Sequence, residues 1–165
     1  ARLAGDTDHT YEIVRLMQQL FYEYRYIITE YKPTYGAVFQ PYLAEYSHWS
    51  YTDIDLVFGD LAKFLSAEEL RDFDVVTYTF GDYHRLYVRG QFTAHRNTAS
   101  VNSIYLGCPF LGRGLLEELQ LKQAIFEKER AKGSARIRQR FNSAEGCYSA
   151  AVTGAPNISL KYAVK

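Results

Sequence analysis

A chain of 165 residues, 47% hydrophobic and 16% aromatic, can bury a sizeable core without staples and is too apolar to be a disordered tail. Nineteen basic and nineteen acidic side chains cancel, so no global charge calls for a nucleic acid or an anionic membrane as partner, while binding of a small anion stays open. No apolar run approaches the roughly 20 residues needed to cross a bilayer. The expectation is one soluble domain over residues 1–165, its compartment unreadable. The start, Ala1-Arg2-Leu3, lacks an initiator Met and an apolar signal core, which suggests a fragment.

In chain order, Ile13, Leu16, Met17, Leu20 and Tyr24 recur at helical spacing and predict an amphipathic helix over 10–24. Lys32-Pro33 interrupts what precedes it, because the residue before proline is pushed out of the helical region. A second short helix is expected after Gly36, burying Val38, Phe39, Tyr42 and Leu43, with Pro41 tolerable only in its first turn. Residues 48–54 read as an aromatic-rich strand that ends at two aspartates. Ser66-Ala67-Glu68-Glu69 is a capping-box pattern opening a short helix through Arg71. Residues 74–79 are a β-prone run, and 85–88 are a further extended piece leading to Gly90. Residues 98–106 predict a helix. The clearest helix is 115–130, with Leu115, Leu116, Leu119, Ala124 and Phe126 facing inward and Gly133 stopping it. Residues 136–141 and 158–164 read as strands. Helices and strands interleave, which points to an α/β fold. Cys108 and Cys147 are too few for a disulfide framework, and the sequence favours two separate thiols over one bridge.

Three Asp-x-Asp triplets occur, more than this composition gives by chance. Asp6/Asp8 lie in a polar terminus, and Asp72/Asp74 stand at the amino end of a predicted strand. Asp53/Asp55 close a strand at its carboxyl end, where open α/β sheets bind ligands. Two aspartates there can share an Mn²⁺ or Mg²⁺ ion, which favours carboxylate oxygen and leaves positions for phosphates. The simpler alternative has Asp53 facing solvent and Asp55 capping the next turn.

A longer series of motifs surrounds that pair. Glu30-Tyr31-Lys32-Pro33-Thr34-Tyr35-Gly36-Ala37-Val38-Phe39 is followed by His48-Trp49-Ser50-Tyr51-Thr52-Asp53-Ile54-Asp55-Leu56-Val57-Phe58-Gly59-Asp60-Leu61. Phe73-Asp74-Val75-Val76-Thr77 and Arg89-Gly90-Gln91-Phe92-Thr93-Ala94-His95-Arg96-Asn97 complete it. In order and spacing this series resembles GT-A-type glycosyltransferase-like proteins known from bacterial polysaccharide loci, over about two-fifths of the chain. The resemblance implies an α/β, nucleotide-diphospho-sugar transferase-like sheet flanked by helices, here without that family's first β-α-β unit. It also implies transfer of a sugar from a nucleoside-diphosphate donor to a glycan acceptor, with Asp53 and Asp55 as metal ligands. A non-catalytic remnant that binds glycan or protein is the alternative.

The same resemblance assigns donor contacts to Lys32, Tyr35, Gly36, Arg96 and Asn97, and a general base to Glu145 in the loosely matching stretch Ser143–Ser149. Each has a plainer reading: a surface lysine, a simple turn at Tyr35-Gly36, an ion pair of Arg96 with Asp74 or Asp82. Gln91 stands where the family pattern carries a histidine. Outside the series, Gly112-Arg113-Gly114 before a helix faintly resembles an acyl-CoA-binding loop, although a plain helix entry accounts for it. Arg136, Arg138 and Arg140 alternate on one predicted strand face and suit either phosphate or solvent. His95 is the histidine nearest the matching motifs.

Overall fold

The computed structural model describes residues 9–79, 87–88, 90–133 and 144–164. Helix α1 (Thr10–Glu23) buries Ile13, Leu16 and Leu20, the stripe that its sequence spacing predicts. A 3-10 segment follows over Arg25–Thr34, and it buries Ile27, Tyr31, Lys32, Pro33 and Thr34. The short helices α2 (Tyr35–Val38) and α3 (Gln40–Leu43) stand where one helix was expected, with Pro41 in the first turn of α3. Their expected burial is corrected: Phe39 and Tyr42 are exposed.

Strand β1 (His48–Thr52), helices α4 (Leu61–Phe64) and α5 (Ala67–Asp72), and strands β2 (Val75–Thr79) and β3 (Phe92–Arg96) come next. The capping box of α5 is complete, with Ser66 Oγ accepting from Glu69 N–H and the Glu69 carboxylate accepting from Ser66 N–H. Helix α6 (Ala99–Asn102) and a 3-10 turn (Ile104–Gly107) replace the single helix expected over 98–106. Helices α7 (Leu115–Ala131) and α8 (Ala144–Gly154) and strand β4 (Leu160–Val164) complete the described chain. The predicted strand 136–141, with its three arginines, and half of the extended piece 85–88 lie outside the described residues.

The sheet has four strands in the order β1-β3-β2-β4. Strand β3 runs antiparallel to both neighbours, with Trp49 opposite His95 on one side and Val75 opposite His95 on the other. Strand β4 pairs parallel to β2, with Val75 opposite Leu160. Three strands therefore present their carboxyl ends at one edge of the fold, where β3 begins. On one face Trp49, Tyr51 and Val75 pack with residues of α1, α7 and α8 in the main core. On the other face Val76, Tyr78, Phe92 and Ala94 pack with Phe64, Leu65, Leu70 and Phe73 from α4, α5 and their flanks. The protein is thus a mixed α/β fold with helices on both sides of a mixed sheet.

Two sequence expectations are corrected in the core. Cys108 and Cys147 form a disulfide, with Cα atoms 5.8 Å apart. Their separation of 39 residues hid the pairing, which depends on α8 packing back over the 104–111 turns. In α7 the inward face carries Glu118, Lys122 and Glu129 beside Leu115, Leu119 and Ile125, whereas Ala124 is exposed. Lys122 Nζ lies 3.2 Å from Glu118 Oε1 and 5.9 Å from the Tyr31 ring centroid, so the buried ammonium is compensated by a carboxylate and an aromatic face.

Two stability predictions follow from this packing. Replacing both cysteines by serine removes a 39-residue loop constraint and should lower the unfolding free energy by about 4 kcal/mol on the chain-entropy model, read by urea denaturation. Lys122→Ala should cost about 3 kcal/mol because it strands Glu118 in the core, while Glu118→Leu with Lys122→Met should cost clearly less.

Candidate active site

At the carboxyl end of β1 the backbone leaves the sheet, and Asp53 N–H still reaches the Gln91 carbonyl at 3.2 Å. The Asp53 side chain therefore points from the sheet edge toward the 3-10 segment 25–34. There Lys32, only 7% exposed, directs its ammonium to Asp53 Oδ1 and to the Gly90 carbonyl at 2.8 Å. A buried ammonium must be neutralised and hydrogen-bonded, and these two oxygens do both. On the opposite side of Gly90, its N–H donates to Glu145 Oε1 at 2.7 Å. A Cβ at Gly90 would stand 3.3 Å from Glu145 Oε1, so the bare backbone lets that carboxylate approach closely. Glu30, on the same segment as Lys32, accepts the Ala144 N–H at 2.8 Å, at the start of α8 where the helix dipole favours an anion.

These groups surround a cavity of about 220 Å³ lined by Lys32, Tyr51, Asp53, Gln91, Glu30 and Glu145, among others. It joins residues from four distant stretches of chain. Three carboxylates face one ammonium there, an acidic balance of two that suits a cation or the cation-bound form of an anion.

Three of the residues expected from the sequence meet here: Lys32, Asp53 and Glu145. Asp55 lies two residues beyond, exposed in the turn that leaves the strand. The same loop lines an apolar groove of about 480 Å³ with Phe58, Leu61, Phe64 and Phe92. The structure places the other expected residues elsewhere. Gly36 lies beneath the Trp49 indole, where a Cβ would stand 2.6 Å from Trp49 Cζ2, and Tyr35 packs edge-on against Phe39. Asn97 donates to the Leu43 and Tyr46 carbonyls and ties the α3 turn to the sheet. Arg96 pairs with Asp74 at 2.9 Å and donates to three carbonyls between Leu70 and Phe73. Burial alone would raise the Asp74 carboxyl, yet hydrogen bonds from Ser159 and Arg96 outweigh it and hold it below the ordinary range. That cluster closes the opposite end of the sheet. Gly112 and Gly114 form a plain entry to α7, with Gly114 N–H bonded to the Pro109 carbonyl and a 3-10 turn, Pro109–Leu111, before it.

In the sequence Gly90 is only part of a motif, and its role as the joint between two charged side chains needs the fold. Tyr51 was likewise read as a strand residue. Its ring forms part of the cavity wall and leans on His95 at 5.1 Å, and His95 stacks on Trp49 at 4.1 Å with planes 6° apart. Burial raises the Tyr51 phenol, with a Thr93 hydrogen bond opposing and the Glu145 charge adding to the rise. Alternation along β1 is the signal that could have marked it, since Trp49, Tyr51 and Asp53 share one face.

The donor set suits a hard divalent cation. A carboxylate and a backbone carbonyl already hold one cation, the Lys32 ammonium, and the carboxylates of Glu30 and Glu145 line the same cavity beside Thr29, Tyr51 and Gln91. Among the described residues no three His, Cys, Asp or Glu side chains are grouped as a metal cage. The protein would therefore supply one or two carboxylates, leaving the other positions to water and phosphate oxygen.

The model of a family of unknown function, DUF6625, matches residues 13–131. The chain belongs to this family. The matched region of this DUF6625 member includes Lys32, Asp53, Asp55 and Gly90 and ends before Glu145. No curated protein and no solved structure matches the chain. No helix among the described residues is long and apolar enough to cross a membrane.

Behind the cavity wall, burial pushes the His95 imidazole down to about 3. A Thr93 backbone group offsets this only in part, and neither ring nitrogen makes a hydrogen bond of good geometry to a described residue. The unfolded ring takes a proton near pH 6.5 that the folded ring refuses. Stability is therefore complete above that pH and falls by about 1.4 kcal/mol per pH unit on going down toward pH 3. Urea unfolding should show a loss of about 2 kcal/mol between pH 7 and pH 5. His95→Phe should flatten that interval while keeping the stack on Trp49.

Proposed function

We propose that the cavity binds a nucleoside-diphosphate sugar together with Mn²⁺ or Mg²⁺, and that the protein is a GT-A-type glycosyltransferase acting on a glycan acceptor. The observation that carries this reading is the convergence of Lys32, Asp53 and Glu145, from three separate stretches, on one cavity at the carboxyl end of β1. Support comes also from the sheet, whose three like-directed strands end on the cavity side, the usual ligand edge of an α/β fold.

In this reading Asp53 and Asp55 would hold the cation, which would neutralise charge on the departing diphosphate. Lys32 adds a second positive charge on the same leaving group. Glu145 is held in place by the Gly90 N–H through one oxygen and can use the other to accept the acceptor hydroxyl proton, as an inverting transfer requires. The acceptor oxygen bonds to the anomeric carbon as the bond from that carbon to the diphosphate oxygen breaks. The proton goes to Glu145, and the nucleoside diphosphate leaves.

One observation favours a second reading, a non-catalytic module that binds glycan or protein. Lys32, Asp53, Glu30 and Glu145 all have partners within the fold, so the cluster is also a competent structural joint.

Asp55 separates the two readings, because it is exposed and its removal leaves the joint intact. Calorimetric titration of UDP, GDP and their sugar conjugates should show binding that needs Mn²⁺. Asp55→Ala should weaken that binding by at least ~10-fold with the melting temperature unchanged, in keeping with loss of a metal ligand. Metal-independent binding, or none in either protein, would favour the module.

A further inference from the structure

Resting on the metal-dependent reading above, we infer that Lys32 is a built-in competitor for the cation site, so that metal and diphosphate bind as a coupled pair rather than independently. The inference comes from the position of the ammonium. Lys32 Nζ already takes Asp53 Oδ1 and the Gly90 carbonyl, two oxygens of the kind a hard divalent ion uses. The side chain is only 9% exposed, and Asp53 remains one-third exposed. The carboxylate is therefore open to an incoming ion, while the lysine side chain is almost wholly enclosed.

Electrostatics gives the direction of the coupling. A divalent ion arriving at Asp53 meets a positive charge at hydrogen-bond distance, and like charges so close disfavour each other strongly. A diphosphate in the same cavity gives the displaced ammonium a new anionic partner. Metal alone must expel Lys32 without compensation, whereas metal with diphosphate transfers it from carboxylate to phosphate. By linkage, each ligand then raises affinity for the other by the same factor. The acidic surroundings, Glu30 and Glu145, keep the cavity unfavourable for a diphosphate that arrives without a cation. A Cβ at Gly90 would stand 3.3 Å from Glu145 Oε1, so the bare backbone lets that carboxylate sit close to the Lys32 ammonium.

The test measures Mn²⁺ affinity by electron paramagnetic resonance and UDP affinity by calorimetry, for the wild type, Lys32→Met and Lys32→Arg. The inference expects Lys32→Met to bind Mn²⁺ alone at least ~10-fold more tightly than the wild type, and to lose most of the mutual enhancement between Mn²⁺ and UDP. Lys32→Arg, which keeps the charge, should retain the weak metal-only affinity. Because Lys32→Met could disturb the fold, a second measurement uses the wild type alone. Acetylation of Lys32 by an N-hydroxysuccinimide ester, read by mass spectrometry, should rise on adding Mg²⁺ and fall again when UDP joins it. Equal Mn²⁺ affinity in wild type and Lys32→Met, with labelling insensitive to Mg²⁺, overturns the inference and leaves the metal reading standing. No Mn²⁺ binding to any of the three proteins, with or without UDP, overturns both.

Discussion

A lysine ammonium buried to 7% exposure cannot stand alone in a protein, and much of this site exists to satisfy it. Its partners come from the end of β1 and from the backbone just before β3, neighbours in the sheet but 37 residues apart in sequence, from Asp53 to Gly90. Lys32 thereby docks the 3-10 segment 25–34 against the sheet edge. Gly90 extends the same link to α8 through Glu145, and Glu30 adds a second tie at the first N–H of that helix. The Cys108–Cys147 bridge anchors α8 two residues beyond Glu145, so the carboxylate is held from both its own helix and its backbone partner. The polar joint and the cavity are one object.

Behind that joint the core is polar-aromatic rather than aliphatic. Trp49 stacks on His95, Tyr51 and Tyr148 lean on the same imidazole at a tilt, and burial keeps the imidazole neutral and the phenols protonated. Such a floor puts an unreactive, rigid wall under a charged cavity, in which electrostatic interactions act with less screening than in water. The opposite end of the sheet uses the same kind of device for a different purpose. Arg96, Asp74 and Ser159 lock β3, β2 and the approach to β4, and Asn97 pins the α3 turn. The two ends of β3 thus differ, with a charged cluster around a cavity at its start and a closed clamp at its finish.

Much of the fold was legible in local sequence. The helical stripe of α1, the capping box of α5 and the β-prone run of β2 lie where periodicity and cap chemistry put them, because each is settled by neighbours within a few residues. What local pattern missed was set by distant partners. Helix α8 has a mixed, small-residue sequence and owes its place to Glu30, Gly90 and Cys108. The buried Glu118 and Lys122 on α7 contradict a simple apolar stripe, since the pair compensates itself once packed against Tyr31.

For the site, the sequence by itself marked the strand-end pair Asp53 and Asp55, and the resemblance of the motif series added Lys32 and Glu145 as candidates. It could not rank them against Tyr35, Gly36, Arg96 and Asn97, which the motif series weighted alike. Tertiary structure decided that ranking. Gly36 serves close packing, Arg96 and Asn97 serve the clamp, and Lys32, Asp53 and Glu145 meet at one cavity. The reason is physical: a charged side chain acquires its role from what shares its low-dielectric surroundings, and those neighbours are assembled only when the sheet closes.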